Sequence, residues 1–96
     1  MKIAIAALSK EEDATISTQA GRAAYYLIYE DGTLVETWKN PFAAGGGGAG
    51  WGVAKVLAEK KVKKVIAGRF GGNMETALRE AGIELEEKKG VVEECH

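Results

Sequence analysis

Ala24-Tyr25-Tyr26-Leu27-Ile28-Tyr29-Glu30-Asp31-Gly32-Thr33-Leu34-Val35-Glu36-Thr37-Trp38-Lys39 reads as two β-rich runs joined by a two-residue link. The first run is crowded with aromatic and branched side chains, which suit a pleated surface packed on a core. The second alternates roughly between apolar and polar residues, the pattern of a strand at a sheet edge. Asp31-Gly32 between them accepts the positive φ that a tight hairpin turn demands. Ala24–Glu30 and Thr33–Lys39 are therefore expected to be antiparallel neighbours.

Upstream, Lys2–Leu8 is a nearly continuous apolar run, as expected of a central strand buried on both faces. Ser9–Ala20 is polar and irregular and reads as a loop. Downstream, Asn40-Pro41 breaks the third strand, and a glycine-rich segment leads into a helix over Trp51–Lys60. Val53, Val56 and Leu57 recur there at helical spacing, and Lys60 and Lys61 suit its C-terminal end. Val62–Ala67 is a fourth strand. Asn73 is a candidate N-cap for a second helix with Met74, Ala77, Leu78 and Ala81 on one face, which Gly82 ends in a left-handed conformation. Ile83–Glu87 reads as a fifth strand and Val91–Cys95 as a final helical turn.

The order β-β-β-α-β-α-β describes an α/β fold, a five-stranded mixed sheet in which a hairpin is joined to parallel βαβ units. Pairing the first strand antiparallel with the second and parallel with the fourth makes strands one and four central. Strands one, three, four and five then run the same way. The loops Ser9–Arg22, Asn40–Gly50, Gly68–Gly72 and Lys88–Gly90 gather at one end of the sheet, where open α/β sheets bind ligands.

Ninety-six residues, 46% apolar and 28% charged, are expected to form a single soluble domain over residues 1–96. Thirteen basic and fourteen acidic residues give a net charge of −1, without the basic excess of a nucleic-acid binder. Cys95 is the only cysteine, which rules out an intramolecular disulfide and a multi-thiolate zinc site. The first apolar run is too short for a membrane span and lacks a signal-peptide context, so a cytoplasmic protein without membrane contact is expected.

Six of the eight residues Gly45–Gly52 are glycine. Such a run beside a helix start lets backbone approach a ligand, and free N–H groups there favour an anion. Gly45, Gly46, Gly47, Gly48 and Gly50 are therefore candidate ligand-binding residues; the alternative is a flexible loop with no ligand. Neither nucleotide motif is met: no acid answers the glycines about 20 residues on, and Gly50 is followed by Trp51, not by Lys-Ser/Thr. Arg22 and Arg69 fall in loops at the same end, Arg69 beside Gly71, Gly72 and Asn73 at the second helix start. Two guanidinium groups beside two helix N-termini would cradle an anion, with Arg69 the better fixed; the alternative is solvated arginines. Glu11-Glu12-Asp13 reads as a solvated tip.

Catalytic groups are scarce. His96 is the only histidine and the last residue, and Cys95-His96 do not make a metal site by themselves. The runs Lys2–Leu8 and Val62–Ala67 hold none of the carboxylates that two-metal nuclease chemistry requires. No nucleophile–base pair is visible, so no enzymatic activity is expected, and no metal ligand can be named.

Ile66-Ala67-Gly68-Arg69-Phe70-Gly71-Gly72-Asn73, followed by Leu78 and Ala81-Gly82-Ile83, resembles the dinitrogenase iron–molybdenum cofactor biosynthesis family. The likeness extends to Met1–Ile5, Gly21-Arg22-Ala23, Glu36 through Asn40-Pro41, and Gly48-Ala49-Gly50. It implies a ribonuclease H-like fold without nuclease activity. It also implies a small binding or carrier protein whose cargo is an anionic iron–sulfur or iron–molybdenum cluster or its precursor, with a cluster-assembly protein as a further partner. The family pattern before Gly-Arg reads His-Phe, and Gln19-Ala20 stand there in this chain. A glutamine amide is a poor iron ligand, which keeps open the alternative of an interaction or regulatory module that lost the cargo.

Overall fold

Buried residues Ala4 to Ala7 of β1 (Lys2–Ala7) need a strand on either side and a packed layer over each face, and both are present. In the computed structural model, which describes residues 1–44 and 47–95, β1 pairs antiparallel with β2 (Tyr25–Glu30). Its other edge pairs in parallel with β4 (Val62–Ala67). The hairpin partner β3 (Thr33–Lys39) and the parallel strand β5 (Glu84–Glu87) close the sheet in the order β3-β2-β1-β4-β5. Strands one and four are therefore interior and β3 is an edge, as the sequence pattern requires.

Asp31 and Gly32 both take positive φ, 51° and 84°, the conformation that turns a strand back within two residues. A register shift between Ile28 and Tyr29 makes Val35 an extra residue in β3, a bulge that interrupts the open edge.

Two helices, α1 (Ala49–Glu59) and α2 (Gly72–Glu80), cover one face of the sheet. Val53, Leu57, Met74 and Leu78 pack there against Tyr26, Ile28 and Val65. On the other face Ala14, Ile16 and Val92 cover Ile5, Leu27, Tyr29 and Ile66. The segment read as a plain loop is thus a strap, tied by the bridges Ala7–Ile16 and Thr15–Val91. Val92–Glu94 forms a 3₁₀ turn where a last helical turn was expected.

Several boundaries differ from the sequence reading. Helix α1 begins at Ala49, two residues before Trp51, so Gly50 and Gly52 are helical. Helix α2 begins at Gly72 after Gly71, and Asn73 lies inside its first turn with no side-chain cap. Tertiary packing decides this start. A Cβ on Gly50 would lie 2.9 Å from the Met74 nitrogen, so the helices cross nearly in backbone contact and draw Met74 into the first turn. Ala81 closes α2 and is exposed, off the apolar face, and Gly82 follows at φ 75°. The Gly82 N–H donates to Arg79 O and the Ile83 N–H to Leu78 O, which satisfies the last carbonyls. Ile83 is spent on that contact, and β5 starts at Glu84.

Candidate functional site

At the C-terminal ends of β1, β3 and β4 the chain encloses a cleft of about 400 Å³. Its walls are residues 18–22 after β1, residues 48–50 at the start of α1 and residues 69–74 at the start of α2. Arg22, Gly48, Gly50, Arg69, Gly71, Gly72 and Asn73 all line it, although up to 51 positions separate them. Gly47 does not line it, and Gly45 and Gly46 lie outside the described residues.

The walls are held by hydrogen bonds that follow from the sheet. Ser17 N–H donates to Ala6 O, and Gly68 N–H donates to Ser17 O at 2.8 Å. Gly68 has to be glycine, since a Cβ there would lie 2.8 Å from Thr18 Cα. One step further, Ala20 N–H donates to Arg69 O at 3.0 Å and Ala20 O accepts the Tyr26 hydroxyl. Burial raises the Tyr26 phenol well above its usual range, so it remains a donor. Asn40, buried after β3, donates from its amide to Gly21 O and Ala23 O and accepts the Phe42 N–H. The sequence reading saw only a strand breaker in Asn40-Pro41.

Gly48 and Gly71 precede the two helices, and neither supplies a side-chain cap. The first N–H groups of a helix have no intrahelical partner, and each N-terminus carries about half a positive charge. Two such ends meet in this cleft beside two guanidinium groups, and no acidic side chain lines it. The arginines differ from expectation. Arg69 anchors by its carbonyl while its side chain is exposed, whereas Arg22 is half-buried and donates from Nη1 to Phe42 O at 3.2 Å. The held guanidinium is that of Arg22, because the packed loop after β3 reaches it, whereas Arg69 is exposed.

Thr18, Gln19, Ala20 and Phe70 also line the cleft and were not singled out from the residues alone. Adjacency to Gly21-Arg22 and Arg69 is the signal that marks them. Among the described residues, no His, Cys, Asp or Glu is in the lining, and no group of three such side chains elsewhere is placed to hold a metal ion. Cys95 packs on the opposite face of the sheet, where burial raises its thiol, and His96 lies outside the described residues. Glu12, read as part of a solvated tip, accepts the buried Tyr29 hydroxyl at 2.9 Å on that same far face. Burial and this carboxylate both push the Tyr29 phenol up. Among the described residues, no helix is long and apolar enough to cross a membrane.

Residues 1–95 match the family model described as dinitrogenase iron-molybdenum cofactor. The chain belongs to that family. The apo form of the orange protein from Desulfovibrio gigas superposes with a TM-score of 0.89 at 27% identity, covering 97% of this chain and 81% of that one. A Thermotoga protein described as a candidate NifB gives 0.81 at 31% identity, with the same coverage of each chain. Among curated proteins none matches. The family match runs through all three walls of the cleft, and the structural neighbours share the α/β scaffold on which it sits.

Proposed function

We propose that the protein binds and carries an anionic iron–sulfur or iron–molybdenum type cluster, or its precursor, in the cleft between the two helices. The observation that carries this is the meeting of two uncapped helix N-termini with Arg22 and Arg69 in a space free of carboxylates. The donor set fits such a cargo in one way only. N–H groups, guanidinium groups and the amides of Gln19 and Asn73 can hold the outer sulfides or oxides of a cluster, while no thiolate or imidazole among the described residues lines the cleft to bond its metal. Binding is thus by charge and hydrogen bonding, and release requires no ligand exchange. The reading is one of carriage without turnover, with a cluster-assembly protein as the source or recipient.

A second reading, an interaction or regulatory module without cargo, is favoured by Gln19 and Ala20, which occupy the cleft wall where the family pattern carries His-Phe. Anaerobic purification, incubation with iron, molybdate and sulfide, and metal analysis after desalting separate the two. Retention of metal and sulfide in fixed ratio to protein supports carriage. Metal-free protein after that treatment supports the module.

A further inference from the structure

Arg22 is tied to its own loop through its backbone, the N–H donating to Gln19 O at 3.3 Å. It sits between Gly21 and Ala23, short residues in a non-repetitive segment, and its guanidinium reaches across to the loop after β3. We infer that Asn40 is the positioning residue of the cleft, fixing the Arg22 backbone and the carbonyl that receives its guanidinium. Asn40 is 4% exposed, and the three hydrogen bonds of its side chain all serve the Arg22 surroundings. Its amide donates to Gly21 O at 3.2 Å and Ala23 O at 2.9 Å, the carbonyls either side of Arg22. Its Oδ1 accepts the Phe42 N–H at 3.0 Å, and Phe42 O in turn accepts Arg22 Nη1. The Phe42 ring is wedged against Gly52 of α1, where a Cβ would fall far inside van der Waals distance of it. Phe42 is therefore located by Asn40 at its nitrogen and by Gly52 at its ring, and Arg22 by Phe42.

The consequence for ligand rests on the anion reading above, but the first measurement does not. Proton exchange at the Arg22 side-chain N–H groups is followed by NMR in ligand-free protein. Asn40→Ala should speed it about tenfold or more and leave Arg69 unchanged. Gly52→Ala, which removes no hydrogen-bonding group and favours the helix, should also speed it by displacing the ring. Unchanged Arg22 exchange in both variants overturns the inference. The second measurement titrates a thiolate-capped iron–sulfur cluster. Asn40→Ala should weaken binding about tenfold in the native and Arg69→Ala backgrounds, and by less than about twofold in the Arg22→Ala background. An undiminished loss in the Arg22→Ala background would also overturn it. If the native protein binds no cluster while Arg22 exchange responds as described, the anion reading falls and the positioning role of Asn40 stands.

Discussion

Lys61 follows α1 at a φ of 67°, a conformation in which a Cβ crowds the following carbonyl at a cost of about 1 kcal/mol or more. Its N–H is satisfied by Ala58 O, so the strain serves the turn from α1 into β4. Lys61→Gly should raise unfolding free energy by about 0.5–1 kcal/mol, read as a rise in the thermal midpoint. A lower midpoint would show that the lysine side chain contributes more than its backbone strain removes. Local chemistry of this kind was legible at Asp31-Gly32 and at Gly82, where the demand for positive φ lies within the residue itself. Asn40 was legible only as a breaker, because the carbonyls it bonds lie 17 and 19 positions away. Asn73 was misread as a cap for the same kind of reason: its neighbour Met74 answers to Gly50, on another helix.

Between elements, the glycines of α1 separate into two kinds. At Gly50 the obstruction is Met74 backbone, which cannot yield without parting the helices. Gly50→Ala should therefore destabilise by about 1–3 kcal/mol despite the better helix propensity of alanine. At Gly52 the obstruction is the tip of the Phe42 ring, which can swing away, so Gly52→Ala should be within about 1 kcal/mol of neutral. Denaturant unfolding of the pair checks the contrast, and equal losses would refute it. The sequence reading assigned Gly50 to ligand approach, yet a glycine run looks alike whether it admits an anion or a neighbouring helix. Between β4 and β5, Lys64 bridges Glu84 and Glu86. The hydrogen bond to Lys64 holds the Glu86 carboxyl below its usual range, and the same bond raises Lys64. Stability from Glu86 is thus complete above the ordinary glutamate pKa and fades as pH falls through the lower folded value. That from Lys64 is complete below the ordinary lysine pKa and fades as pH rises through the higher one. Both groups are partly exposed and screened, so Glu86→Gln should flatten both limbs of the midpoint–pH curve by only about 2 °C. Unaltered limbs would leave the pair without a part in stability.

Across the whole molecule, a net charge of −1 conceals a cleft whose side-chain charges are all positive. Strand order and the gathering of loops were legible because buried runs and hairpin chemistry leave few topologies open. The relative standing of the two arginines was not, since it depends on which guanidinium meets a packed carbonyl. That difference sets the expected response to salt. Arg69 is exposed, so its attraction for a polyanion is screened within about 10 Å at 0.1 M salt and about 3 Å at 1 M. Arg22 is half-buried and already oriented by Phe42, so less side-chain freedom is lost when it meets a ligand. Titration of a thiolate-capped iron–sulfur cluster in about 0.05 M and about 0.5 M salt should find both Arg22→Ala and Arg69→Ala weakened at the lower concentration. At the higher one the Arg69→Ala deficit should shrink toward nothing while the Arg22→Ala deficit persists at about tenfold. Equal deficits that vanish together would mean that the cleft attracts anions by diffuse charge alone, with Arg22 no better placed than Arg69.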